Sequence, residues 1–175
     1  MLGCAAMLSR PDMFLKEDAF LKQEVFDLIA ERVKDRRDSL LHIARFPRLG
    51  IEGWLKVEAV RALSDRVEKI LNTGPDLQLA DGVFIELKGA TDCNPSYILG
   101  GLIFKTEPRY RRLACLFLGS GNSISTCMAK LELGSRVLAY ERFSAGTHEW
   151  VVGLIVPRPA SVQAERLTTY NSTGG

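Results

Sequence analysis

The chain has 175 residues, 46% of them hydrophobic and 25% charged, with a formal net charge of +2. These values fit one globular domain able to bury a core unaided, and the mild charge means that any basic, nucleic-acid-binding surface has to be local. The four cysteines (Cys4, Cys93, Cys115, Cys127) form no CxxC pair and there are only two histidines, which argues against a structural zinc site and a disulfide framework. No apolar run approaches membrane-spanning length, and Met1–Leu8 lacks the basic start and long apolar stretch of a signal peptide, so a cytoplasmic protein with reduced thiols is expected.

Residues 1–15 read as a loose lead-in, followed by an N-terminal helical extension over about 16–45. From about Lys16 to Leu41 the residues Leu21, Val25, Leu28, Ile29 and Val33 form one apolar stripe. Arg32, Lys34, Arg36 and Arg37, with Arg45 and Arg48 beyond, fit a phosphate contact or equally a solvated helix end. Phe46–Gly50 breaks the helix. A second helix is expected from about Glu52 to Asn72, with Leu55, Ala59, Ala62, Leu63, Val67, Ile70 and Leu71 as its stripe, and Gly74-Pro75 ends it.

The next segment carries the chemistry. Asp76–Leu79 and Val83–Lys88 read as two short strands around Ala80-Asp81-Gly82. A two-residue turn would set Ala80 against Val83 and Asp76 against Leu87, sending Glu86 to the other side. A three-residue loop wants a left-handed third residue, which Gly82 supplies; it sets Leu79 against Val83 and Asp76 opposite Glu86. The second register is preferred. It places Asp76, Glu86 and Lys88 on one face, with the Asp76 and Glu86 Cα atoms roughly 4.5–5.5 Å apart. Two hard oxygen donors beside an ammonium suit a divalent cation and a positioned water.

Farther on, 89–95 is a loop by composition, and Tyr97–Phe104 is apolar but of ambiguous type around Gly100-Gly101. Lys105–Arg112 is the most basic window. There Arg109, Arg111 and Arg112 have the chemistry to fork onto phosphate and Tyr110 to stack on a base, although a polar loop has the same composition. Leu113–Leu118 reads as a strand buried on both faces, Gly119–Ser123 as a glycine-rich turn opening a helix over about 123–133, Val137–Phe143 as a strand or helix tail, and Trp150–Val156 as a buried strand. His148 has the chemistry of a catalytic acid or a ligand, but a lone histidine in a turn next to a strand is more often neither. Residues 158–175 read as a weakly ordered tail.

The run Pro75-Asp76, nine residues, Glu86-Leu87-Lys88 resembles the signature of the PD-(D/E)XK nuclease superfamily. The resemblance implies an α/β fold with a restriction-endonuclease-like αβββαβ core over about 50–157: a mixed central sheet flanked by helices, in a single domain with an extra N-terminal helix. It implies a divalent-metal-dependent nuclease, with Mg²⁺ or Mn²⁺ as cofactor and nucleic acid as substrate, DNA before RNA. Asp76, Glu86 and the Leu87 carbonyl would ligate the metal and Lys88 would orient the attacking water. The segment Glu52–Glu58 resembles the helix that completes the metal site in many relatives. Glu58 borders the buried stripe, where it needs a partner: either the metal, or Arg61 or a cation from another element. Glu58 is chosen as the ligand. Glu52, about 120° away around the helix, is read as an acid favouring the helix N-terminus. A non-catalytic binding or assembly module on the same fold is the alternative, a small-ligand protein using the Gly119–Gly121 turn a third, and a homodimer is left open.

Overall fold

The computed structural model describes residues 16–45 and 50–158. The lead-in at 1–15, most of the expected break (46–49) and the tail from 159 lie outside the described residues. The helical run from residue 16 passes through a π-helical turn, Leu21–Phe26, into α1 (Asp27–Asp35), and α2 (Arg37–Ala44) comes after a break at Arg36. The π turn adds a residue and so rotates the rest of the helix about its axis. Phe26 and Ala30 therefore join the buried stripe, while Leu28 is 38% exposed.

Helix α3 spans Ile51–Ala62 and presents Ile51, Trp54, Leu55 and Ala59 to the core. The single long helix expected to Asn72 is corrected here. The chain turns after Leu63, and Val67–Ile70 forms strand β1, hydrogen-bonded antiparallel to β2 (Leu77–Leu79). The apolar spacing of Val67, Ile70 and Leu71 suggests more helix, yet β1 is an edge strand with Ile70 55% exposed, held by ladder pairing and not by burial.

Strand β3 is Phe84–Gly89. The β2–β3 pairs Leu77↔Ile85 and Gln78↔Phe84, with the Leu79 N–H donating to the Val83 carbonyl at 2.8 Å, give the three-residue-loop register. Gly82 takes the positive φ, 80°, that this loop requires. Beyond β3 come α4 (Pro95–Gly100), two 3₁₀ turns (Ile103–Thr106 and Pro108–Tyr110), β4 (Leu113–Ser120), α5 (Ile124–Gly134), β5 (Arg136–Ala145) and β6 (His148–Val156). The ambiguous stretches at Tyr97 and Val137 are thus resolved as helix followed by 3₁₀ turns, and as strand.

The six strands form one mixed sheet in the order β1-β2-β3-β4-β6-β5, in which only β3 and β4 are parallel. Alternation along β4 feeds two cores. Ala114, Leu116 and Leu118 pack beneath α1–α3, and Leu113, Cys115 and Phe117 beneath α4 and α5. Coverage on both faces explains why this strand reads as one apolar run. The second core has little slack: Phe117 lies directly over Gly153 of β6, where an added methyl would collide with its ring. Arg158, the last described residue, is tied to the carbonyls of Ser135 and Glu132. No helix among the described residues is long and apolar enough to cross a membrane.

Gly153→Ala should overpack the Phe117 side of the sheet and cost about 1–3 kcal/mol, read as a lower urea midpoint at unchanged m-value.

Candidate functional site

The hairpin register brings Asp76, Glu86 and Lys88 to one face, the one covered by α4 and α5. Asp76 stands immediately before β2. Its Oδ2 accepts the Leu87 N–H at 2.9 Å, taking the place of a ladder bond, and its Oδ1 accepts from Lys56 Nζ at 2.8 Å. Glu86 is nearly buried, and its Oε1 lies 2.8 Å from Lys88 Nζ. Its Oε2 is buried without a hydrogen-bond partner among the described residues. The Lys88 ammonium also sits 5.3 Å from the centre of the Tyr97 ring, a cation–π distance.

Tyr97 reaches this position because Asn94-Pro95 starts α4 sharply. The Asn94 side chain accepts from the N–H groups of Ser96 and Tyr97, with Pro95 in the first turn. The Tyr97 hydroxyl donates to Glu52. Glu52 arrives from the opposite layer because β3 ends in a glycine. A Cβ on Gly89 would stand 2.8 Å from the Glu52 nitrogen and 2.9 Å from its Cα, so the first turn of α3 packs directly onto the strand end.

Burial is the main reason the Glu86 carboxyl titrates above its ordinary range, and the negative charges of Asp76 and Glu52 add to it; Lys88 only partly offsets them. Burial alone would lower the Lys88 value, but the contact with Glu86 and the field of Glu52 outweigh it and hold the ammonium above its usual range. Burial, with its hydroxyl committed to Glu52, pushes Tyr97 up to about 12. Cys115, paired across from Glu86 on β4, is raised first by full burial.

Glu58 does not join this cluster. Its Oε2 accepts from Arg32 Nε at 2.7 Å and its Oε1 from Arg61 at 3.1 Å. The acid that α3 delivers to the hairpin is Glu52, about 120° away around the helix, and the desolvation argument for Glu58 is met by ion pairing. Tyr110 is also corrected. It is 5% exposed and packed edge-on against Phe84 and Phe104 at ring distances of 4.9 and 5.5 Å, which removes its face from any base. Arg109 pairs with Glu107, and Arg112 with Glu17 and Asp81; of the three arginines in the basic window, Arg111 alone is exposed without an acidic partner among the described residues. His148 opens β6 on the surface, away from the hairpin residues.

Sequence reasoning sets Glu52 aside and misses Lys56 and Tyr97. The signals are present: Glu52 and Lys56 are four apart on one helix face, and Asn94-Pro95 marks a helix start that fixes where Tyr97 falls. Among the described residues, no three His, Cys, Asp or Glu side chains converge closely enough in this conformation to hold a metal ion. Comparison with family models, curated proteins and solved structures gives no match to the chain.

Because Glu86 binds its proton more tightly folded than unfolded, its ionisation costs stability as pH rises above the unfolded value and through the raised folded one. The melting temperature of Glu86→Gln relative to wild type should therefore rise as pH increases above the ordinary carboxyl value of 4.5, over a pH-independent loss from leaving Lys88 unpaired. Glu58→Ala should cost about 1–3 kcal/mol in urea unfolding, since it strips a buried acceptor from two arginines.

Proposed function

We propose that the chain is a divalent-metal-dependent nuclease of the PD-(D/E)XK type, acting on nucleic acid, with DNA the first substrate to test. The observation that carries this reading is the Glu86 carboxylate: one oxygen on Lys88, the other buried without a donor, and Asp76 opposite on the same face. An uncompensated, desolvated carboxylate oxygen is costly unless a cation or proton meets it. The element order supports the reading too. A helix, three antiparallel strands, a short helix and a strand parallel to the third can be read in the αβββαβ order, with the acid just before the second strand and the E-x-K in the third.

The donor set suits Mg²⁺ or Mn²⁺. Asp76, Glu86 and the Leu87 carbonyl oxygen would hold the ion; Glu52, tied to Tyr97, is the acid of α3 that stands near them, where sequence reasoning expects Glu58. The bound ion supplies Lewis acidity toward the phosphate and makes water a better nucleophile. Lys88 contributes an ammonium held charged by Glu86, which would donate a hydrogen bond to the attacking water and orient it. Tyr97 presents its ring to the Lys88 ammonium and its hydroxyl to Glu52, so both would be positioned before substrate arrives.

The internal pairing of Asp76 with Lys56 and of Glu86 with Lys88, and the lack of a converged ligand triad among the described residues, favour a second reading: a non-catalytic binding or assembly module on this fold. Mn²⁺ titration by calorimetry separates the two. The nuclease reading expects binding to wild type and none to Asp76→Ala/Glu86→Ala, and cleavage of plasmid and single-stranded substrates reduced at least about 100-fold in folded Lys88→Ala. A folded wild type that neither binds the ion nor cleaves in its presence would leave the module reading.

A further inference from the structure

We infer that Lys56 is a built-in counter-cation that occupies the metal's place on Asp76, so that loading the site is a cation exchange in which Lys56 has to leave. This inference rests on the nuclease reading of the same site. Asp76 has two carboxylate oxygens, and the fold fixes one of them, since Oδ2 accepts the Leu87 N–H at 2.9 Å and thereby holds the hairpin register. Oδ1 is the oxygen not committed to the ladder, and Lys56 Nζ is on it at 2.8 Å. Lys88 differs in this respect. It contacts Oε1 of Glu86 and leaves Oε2 without a partner. Lys88 thus leaves a whole oxygen of Glu86 open, whereas both oxygens of Asp76 are engaged, and an ammonium held against Asp76 repels a dication brought to the same carboxylate, so Lys56 competes with the metal.

Charge balance explains why a lysine stands there. Glu86 lies within electrostatic reach of both Asp76 and Glu52, so three carboxylates face the two ammoniums of Lys88 and Lys56. Without Lys56 the metal-free site would carry one more uncompensated negative charge on a half-buried face. The means of release is also present. Lys56 lies on α3, its side chain is 30% exposed, and a flexible four-carbon stem with a strongly hydrated head moves to solvent at low cost. An arginine at this position would fork onto the carboxylate and be harder to displace.

The test is calorimetric titration of the full chain with Mn²⁺ alone, comparing wild type, Lys56→Met, Lys56→Gln and Lys130→Met. Lys130 is an exposed lysine of α5, the helix that packs over β5 and β6, at the other end of the sheet from β2. Its variant makes the same change in net charge away from Asp76. Folding of each variant is checked by circular dichroism and thermal melting before titration. The expected result is Mn²⁺ affinity about tenfold tighter in both Lys56 variants and unchanged within about twofold in Lys130→Met. Binding seen only in the Lys56 variants supports the exchange equally. Equal affinity in wild type and the Lys56 variants, or an equal gain in Lys130→Met, overturns the inference and leaves the metal site intact. Weaker binding in the Lys56 variants overturns it too, making Lys56 a supporting residue. Absence of binding in every protein overturns the inference, and the nuclease reading falls with it if the wild type also fails to cleave.

Discussion

The interaction on which this structure turns is the hydrogen bond from the Leu87 N–H to the Asp76 carboxylate. It continues the β2–β3 ladder by a side chain where the backbone of β2 has not yet begun. It therefore fixes at once the register of the hairpin, the position of Asp76 opposite Glu86, and the face on which Lys88 emerges. A slip of one residue would turn Glu86 and Lys88 toward the aliphatic core beneath α1–α3, where Ile85 and Leu87 now sit. The Gly82 loop and the carboxylate enforce the same pairing from the two ends of a three-residue strand.

Around that bond the molecule accepts an electrostatic cost. Glu86 projects into the layer shared with Cys115, Phe117 and α4, too poorly solvated to ionise freely. Helices from both faces of the sheet build the surroundings of that carboxyl. From one side α3 brings the compensating Lys56 to Asp76 and, through the missing side chain of Gly89, a further acid, Glu52, to the strand end; from the other, α4 lays Tyr97 against Lys88 and ties it to Glu52. A charged cluster assembled from two layers at the end of two parallel strands is preorganised by packing that also builds the cores, so its geometry and the stability of the fold are linked.

Much of this is legible locally. The alternation of Asp76–Leu79 and Val83–Lys88 and the glycine at the third loop position are enough to choose the register, because both effects act between residues a few positions apart. The buried character of β4 and β6 is visible in LACLFL and WVVGLIV for the same reason. Where apolar spacing serves helix and strand alike, as at Val67, Ile70 and Leu71, local pattern fails: β1 exists because β2 offers it hydrogen-bonding partners, and its own side chains are mostly exposed.

The features that the sequence determined by itself are the hairpin, its acidic and basic residues and the face they share, since turn stereochemistry and two-residue alternation are properties of the covalent chain. Only the tertiary structure decided which glutamate of α3 meets that face. Glu52 and Glu58 are alike in charge and helix context, but Arg32 comes to one from a helix 26 residues away, and a glycine on β3 opens room for the other. The same holds for Tyr110, whose aromatic surface is claimed by Phe84 and Phe104 in a contact that no local pattern announces. Partner choice among equivalent side chains depends on distances between elements remote in sequence, and those distances are set only when the two cores close on the sheet.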